Sequence, residues 1–590
     1  MKQHNKMTVN KKFLLSGRVR RSTVYLIFSV CLSASVMSQQ TPVDSTLIRT
    51  VVVEQEYNPN ILDASKINIL PNVEEPSVAK GDIEYSQTLR PATSFGNYQQ
   101  LMPLTRRELQ PDAHRGYARF GYGNKGNIDA KLSYLFDFTS RDRLGISASL
   151  DGMNGKLEQI PPYYNPSVEM EDWKAKYYRT NVTADYLHKF NNVDMNIRGV
   201  FESDAFNYHD NVSPAGTVME LGNDKQNHTK GEVHLGFNST TDDLPLRFMA
   251  EANYLYFNKK HNLGGETNRE QIVRTKAEGI GDISDEQMVG VKFEMNNLFY
   301  SLPVLSNYTT VDLNPYYRYV KESAEIRLGA HVDLAFGQGK TVQVAPDIRG
   351  QYNFADNYLV YLNATGGRQL NDYRQLELGS PYWLPVFTSQ DKNTYIPLDA
   401  SLGLSGSPAT GFWFNLFAGY QIRKDDLNFV NDFGDDFNYA YNYFTFADTK
   451  AFYFGAGLKY SHKDLINISL DGRYNKWDAD EDFVLLMKPQ FDLNASIEVK
   501  LLSNIYLDMG YNYVSRPEVT LFKANIMGVV APMEYQMSAI NNLSFGATYK
   551  FNKNFSAFVR VNNVLNKEYQ YYYSYPSQKL NFMAGISASF

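Results

Sequence analysis

A period of two is the feature that most limits what this chain can fold into. Segments of about ten residues alternate apolar and polar side chains along much of its length, with turn residues between them. In 464–474, Ile466, Ile468, Leu470, Gly472 and Tyr474 alternate with Asn467, Ser469, Asp471 and Arg473. Phe248, Ala250, Ala252 and Tyr254 alternate with Arg247, Glu251 and Asn253. Leu507, Met509 and Tyr511 alternate with Tyr506, Asp508, Gly510 and Asn512. Successive strand side chains point to opposite faces, so each segment carries one apolar and one polar face. The C-terminal stretch repeats the pattern: Leu580, Phe582, Ala584, Ile586, Ala588 and Phe590 share one face, with Asn581, Met583, Gly585, Ser587 and Ser589 on the other.

The N-terminal stretch is of another kind. Lys2, Lys6, Lys11, Lys12, Arg18, Arg20 and Arg21 precede an apolar run of about fourteen residues from Thr23 to Val36, followed by Met37-Ser38. This reads as a secretory signal peptide over 1–38, cut after Ser38. The run is shorter than the ~20 residues a spanning helix needs. Val30 stands where a lipoprotein signal wants a small residue, so Cys31 reads as an ordinary apolar residue. The mature chain then has no cysteine, hence no disulfide and no thiolate metal site. Of 58 basic residues, loss of those seven leaves 51 against 64 acidic ones, a formal charge of about -13. That balance argues against a nucleic-acid partner.

No other segment approaches ~20 uninterrupted apolar residues, so a membrane crossing must use strands. A closed barrel pairs every backbone group and leaves no edge in lipid. A β-sandwich or propeller in water also alternates, but the signal peptide, the terminal aromatic strand and the 43 Tyr and 36 Phe favour a barrel with aromatic girdles. The expected fold is therefore all-β, a transmembrane antiparallel barrel of about 20–22 strands over 116–590. A short periplasmic or lumenal segment, 39–115, precedes it. Tight connections, such as Asn191-Asn192, Ser461 to Asp464 and Leu501 to Asn504, alternate with long ones. The long ones include Met153 to Trp173, His209 to Asn227, Asn258 to Asp285, Asn371 to Asn393, Arg423 to Tyr441 and Pro517 to Glu534. About 21 candidate strands emerge, whereas two periplasmic termini require an even number. The alternation slips within Glu286 to Tyr358, where one strand is expected to be misassigned.

Asn563-Val564-Leu565-Asn566-Lys567-Glu568-Tyr569, Tyr575-Pro576 and the terminal aromatic Phe590 resemble the last hairpin of a TonB-dependent receptor. Ser577-Gln578 departs from the Gly-Arg pair usual there. The terminal strand, Leu580, Phe582, Ala584, Ile586, Ala588 and Phe590, is similar to the strand by which outer-membrane barrels are recognised for insertion. The resemblance implies localisation in the outer membrane with a periplasmic N-terminus, and contact with membrane lipid and the barrel-assembly machinery. Thr50, Val51, Val52 and Val53 are similar to a TonB box, which would join an exposed sheet edge by β-augmentation and make TonB or another envelope protein a partner. The family's lumenal plug exceeds a hundred residues, whereas 39–115 is short and contains Pro42, Pro59, Pro71, Pro76, Pro91, Pro103 and Pro111. A full plug is not expected.

Chemistry-bearing motifs are sparse. Nine histidines are scattered, and Gly-x-Ser-x-Gly, His-Glu-x-x-His and phosphate-loop patterns are absent. No catalytic, cofactor or metal site is expected. Asp478, Asp480 and Asp482 have a calcium-like spacing but lack the turning glycine, and read as a solvated acidic loop. Asp425, Asp426, Asp432, Asp435 and Asp436 lie among aromatics in a segment expected to be external, best read as barrel rim. Asn525 to Met533 is apolar where water is expected, and marks either an interaction surface or a loop folded onto the mouth. Two functional readings follow: uptake of a solute across the outer membrane, or a non-transporting scaffold subunit of an envelope assembly.

Overall fold

The structure, a computed structural model, describes residues 114–161, 167–212, 218–219, 224–240, 246–261, 268–303, 305–355, 357–383, 393–430, 441–463, 465–524 and 530–590. The signal peptide, the segment 39–113 and the TonB-box-like Thr50 to Val53 lie outside them. The described residues form one antiparallel sheet of 22 strands, from Gly116–Gly123 to Asn581–Ser589, in which each strand pairs with the next. No helix among the described residues is long and apolar enough to cross a membrane.

The sheet closes on itself. Tyr117 to Gly123 pair with Ser589 to Met583, and the last residue finishes the seam, with Gly116 N–H donating to Phe590 O at 2.7 Å and Phe590 N–H to Gly116 O at 2.9 Å. The Phe590 ring stacks 6.1 Å from that of Tyr134. Closure removes the unpaired edges an open sheet would leave in lipid.

The two faces separate as the alternation requires. Phe582 and Ile586 are 54% and 65% exposed on the outer face, whereas Met583, between them, is buried. Ile468 and Leu507 also face outward, while Ser469 is buried on the inner wall and Asn512 donates to Asn494 at 2.8 Å. Inner-wall charges are paired: Arg327 with Asp347 at 2.7 Å, Arg247 with Asp282 at 2.5 Å, and Arg119 with Asp129. A low-dielectric wall tolerates such charges only when partnered.

The two ends of the barrel differ. At the end carrying Gly116 and Phe590 no connection is longer than the six residues 240–245, and several are two, such as 410–411 and 503–504. At the other end they reach 24 residues, in 370–393 and 516–539. Short turns on one side and long loops on the other are how outer-membrane barrels are built.

Twenty-two strands meets the upper figure expected, but the missing strand lies elsewhere than expected. Asn258 to Asp285 is not a long connection: Asn268–Ser284 is a strand paired on both sides, and Glu286 to Tyr358 contains no misassigned one. The outward positions Thr275, Ala277, Gly279 and Gly281 are small, and Arg274, Lys276, Glu278 and Asp282 alternate with them, so the apolar face is too faint to read. The connection at Lys321 to Ser323 falls at the short-turn end and that at 337–341 at the long-loop end. Asp425 and Asp426 sit in the strand Phe412–Val430 rather than in a loop. Val530 to Met533 belong to a strand, Val530–Tyr535, that pairs with Val519–Ala524, and 525–529 lie outside the described residues.

Candidate functional site

The long-loop end is folded inward, and two connections dominate it. In 370–393, Asp372 accepts from the N–H of Gln375 at 2.8 Å and starts the helix α1, Tyr373–Gly379. Positions i, i+3 and i+4 of this turn, Tyr373, Leu376 and Glu377, are buried together against the wall. Tyr373 packs 5.7 Å from Phe257 and 5.2 Å from Trp383, which is fully buried. Lys259 lies 4.2 Å over the Trp383 ring and donates to the Trp383 carbonyl.

Glu377 is the polar anchor of this loop. Its carboxylate takes His228 Nδ1 at 2.8 Å and Lys230 Nζ at 2.6 Å, and Lys230 also reaches Asp204 at 2.8 Å and Glu202 at 3.1 Å. Burial by itself would favour the neutral acid, but the His228 hydrogen bond and the Lys230 charge outweigh it and hold the carboxyl well below the usual range.

The other connection, 563–580, is tied at its base by the motif residue Asn563, which adopts a left-handed backbone at φ 48°. Its amide donates to Lys567 O at 2.7 Å and Gln578 O at 3.0 Å, and its Oδ1 accepts from Lys567 N–H at 3.0 Å. Beyond this clasp, Tyr569, Tyr571, Tyr572, Tyr573 and Tyr575 are all buried. The guanidinium of Arg516, 1% exposed, donates to the carbonyls of Ser538, Gln570 and Tyr571 at 3.0 to 3.2 Å. Arginine, with five fixed donors, suits the satisfaction of several carbonyls in one place.

The two connections meet. The Tyr382 and Tyr575 rings stack in parallel with centroids 3.3 Å apart, and Ser380 and Tyr573 are joined through Asn442, whose amide Oδ1 accepts from Ser380 at 2.7 Å and whose Nδ2 donates to Tyr573 O at 3.1 Å. Trp173, Tyr177, Phe206 and Tyr208, at strands nearly across the ring from the base of the 370–393 connection, belong to the same buried cluster. Strands so far apart around a closed ring touch only through elements that cross the opening, so the described loops span the mouth. A further connection, 480–490, adds Val484, Leu485 and Leu486 against Val519, Leu521 and Tyr573. There Lys488 pairs with Asp426 at 2.7 Å, yet burial holds its ammonium below the ordinary lysine range.

His209 belongs to this cluster, 4.6 Å from the Tyr575 ring. Its Nδ1 donates to Asp210 O at 2.7 Å and Nε2 faces Ser574 Oγ at 3.1 Å; burial lowers its pKa to about 4. The imidazole is therefore neutral at pH 7.

Among the described residues no group of three or more His, Asp or Glu side chains is placed to hold a metal ion. The face formed by Leu580, Phe582, Ala584, Ile586, Ala588 and Phe590 is directed outward on the seam strand. The tyrosine cluster, Arg516 and Glu377 escaped sequence reasoning; the density of tyrosine in 569–575 was the available signal.

No family model matches the chain, and no curated protein matches it in sequence. Solved structures do match its fold. FpvA of Pseudomonas aeruginosa, bound to a heterologous pyoverdine and iron, superposes with a TM-score of 0.60 at 11% identity over 81% of this chain and 72% of its own. A mutant of PfeA, the ferric enterobactin receptor of Pseudomonas aeruginosa, gives 0.60 at 11% over 81% and 80%. The FrpB iron transporter of Neisseria meningitidis gives 0.59 at 12% over 81% and 81%. The barrel has the fold of the TonB-dependent outer-membrane receptors.

Proposed function

We propose that this chain is an outer-membrane barrel of receptor type that takes up a solute, capturing it at the long-loop end and passing it along the lumen. The loops folded across the mouth carry the reading: they form a gate over a polar, charge-paired inner wall, where a scaffold would need only the outer surface of a barrel. In this reading the short-turn end and both termini are periplasmic, 1–38 is removed on export, 39–115 is the segment nearest the energy source, and Thr50 to Val53 engage TonB. At 11% identity the iron cargo of FpvA and PfeA does not carry over to this chain. Leu580 to Phe590 serve as the insertion strand for the assembly machinery, and the outward apolar face meets lipid.

Planar bilayers test the gate. The folded protein is expected to be closed, and a variant in which a short Gly-Ser linker replaces 567–577 is expected to conduct. Absence of conductance from the shortened variant, with insertion verified by heat-modifiable migration, rejects a gated path and leaves the scaffold reading.

A further inference from the structure

Beneath the 563–580 connection, against the strands Asp142–Leu157, Trp173–Lys189 and Asn581–Ser589, lies a cavity of about 80 Å³, room for a few waters with the loops as they sit. Its lining is unusual in kind. Asn127, Asn542, Asn562, Asn563, Gln578 and Asn581 supply six primary amides, and Trp173, Tyr177, Tyr382 and Tyr569 supply four aromatic rings. The charged lining residues are Asp151 and Lys176, opposite in sign. The Tyr177 hydroxyl is buried and has no hydrogen-bond partner among the described residues.

An amide carries a donor and an acceptor, as does each hydroxyl of a polyol, so a polyol can exchange for the bonds these amides now make with one another, such as Asn562 to Asn581 at 3.0 Å. An anionic ligand would call for an uncompensated cationic wall, and an apolar one would leave the buried Tyr177 hydroxyl unpaired. Aromatic faces bury the C–H surface of a ring while the amides fix its polar groups. One of the amides already occupies the site as a stand-in: Gln578 exchanges reciprocal hydrogen bonds with Asn127 at 2.8 and 2.9 Å, and its Nε2 faces Met153 Sδ at 3.0 Å.

The geometry points to a binding site for a neutral, hydroxyl-rich ligand of the carbohydrate class, seated between the amides and the tyrosine cluster after the Gln578 side chain is displaced. This rests on the uptake reading, whose solute it names by class. Lys579, paired with Glu158 at 2.7 Å and Glu568 at 3.5 Å, then holds the lid closed in the empty state.

The test uses the full folded chain in detergent, titrated with short neutral oligomers of glucose, galactose, mannose and N-acetylglucosamine, and with an oligogalacturonate and a ferric trihydroxamate as contrasts. Calorimetry and the emission of Trp173, assigned with Trp173→Phe, give the readout. A neutral oligomer is expected to bind, to lose about tenfold in affinity in Asn562→Ala, and to bind several-fold more tightly in Gln578→Ala, because the competing amide is gone. A merely structural role for Gln578 weakens binding instead. Binding of the acidic or ferric ligand alone, or of none in both wild type and Gln578→Ala, overturns the proposal. Vesicle uptake separates the two readings: passage of the ferric chelate without sugar binding rejects the ligand class and keeps uptake, whereas sugar binding without passage keeps the site and rejects uptake.

Discussion

The two ends of this barrel solve the same connection problem with different physics. At the short-turn end the chain reverses in as few as two residues, and conformation alone decides the outcome: Gly411 turns with φ 78°, which only glycine adopts at no cost. At the long-loop end up to 24 residues join adjacent strands, and packing decides it, with Trp383, Tyr569, Tyr573, Tyr575 and Arg516 as deeply buried as the interior of a globular domain. One end is held by local dihedral preference, the other by a core of its own. The loop end can therefore open while the barrel stays intact, and the turn end cannot.

Four measurements break or sharpen that contrast. The largest effect is expected for Tyr575→Ala, which removes the ring stacked on Tyr382 and beside Trp173: the loop layer loses about 3–5 kcal/mol, seen as lost amide-exchange protection in 563–580 with the barrel transition unmoved. A barrel that melts earlier in step would show that the two regions are not separable. Next, Leu416→Arg, on the outer face five residues beyond the 410–411 turn, should cost the barrel about 2–4 kcal/mol in vesicle unfolding and leave loop exchange unchanged.

Acidification is expected to act on the loops. His209 has a folded pKa of about 4 against 6.5 unfolded, so its contribution is complete above pH 6.5 and lost as pH falls toward 4, by roughly 3 kcal/mol. Exchange in 563–580 should rise over that window in the wild type and less in His209→Asn; a flat profile contradicts burial of the neutral ring. The smallest effect belongs to the turn end, where Ala355→Gly, at a left-handed φ of 49°, should raise barrel stability by no more than about 1 kcal/mol with no change in the loops.

The same division explains what the sequence discloses. Strands with large outward residues, such as Ile466 to Tyr474, are legible because periodicity is local and each residue votes independently. Asn268–Ser284 was lost for lack of such residues. The packing of the mouth was not legible: Tyr569 and Tyr575 stood out only as motif residues, since a tyrosine at an interface and one in a loop core look alike until residues hundreds of positions apart are brought together. Asn563 stood out through its motif, but its work as a clasp appears only in the backbone it bridges. Glu377 gave no signal, because its partners His228 and Lys230 lie on a strand 149 and 147 positions away along the chain.

The seam joining Gly116 to Phe590 has a consequence for how the chain reaches this state. Its two hydrogen-bonded residues lie about 470 positions apart, so bringing them together carries a closure entropy of about 5–6 kcal/mol by the logarithmic loop law. That contact is among the longest-range the chain can make, and the rate of folding falls as such contacts dominate. The first strand, though synthesised hundreds of residues earlier, has no partner on its outer side until the final residue arrives. A growing or truncated chain thus presents two unpaired edges, prone to add any other strand. Delay, rather than instability, is the hazard built into this molecule, and assembly must shelter both edges until the last phenylalanine is in place.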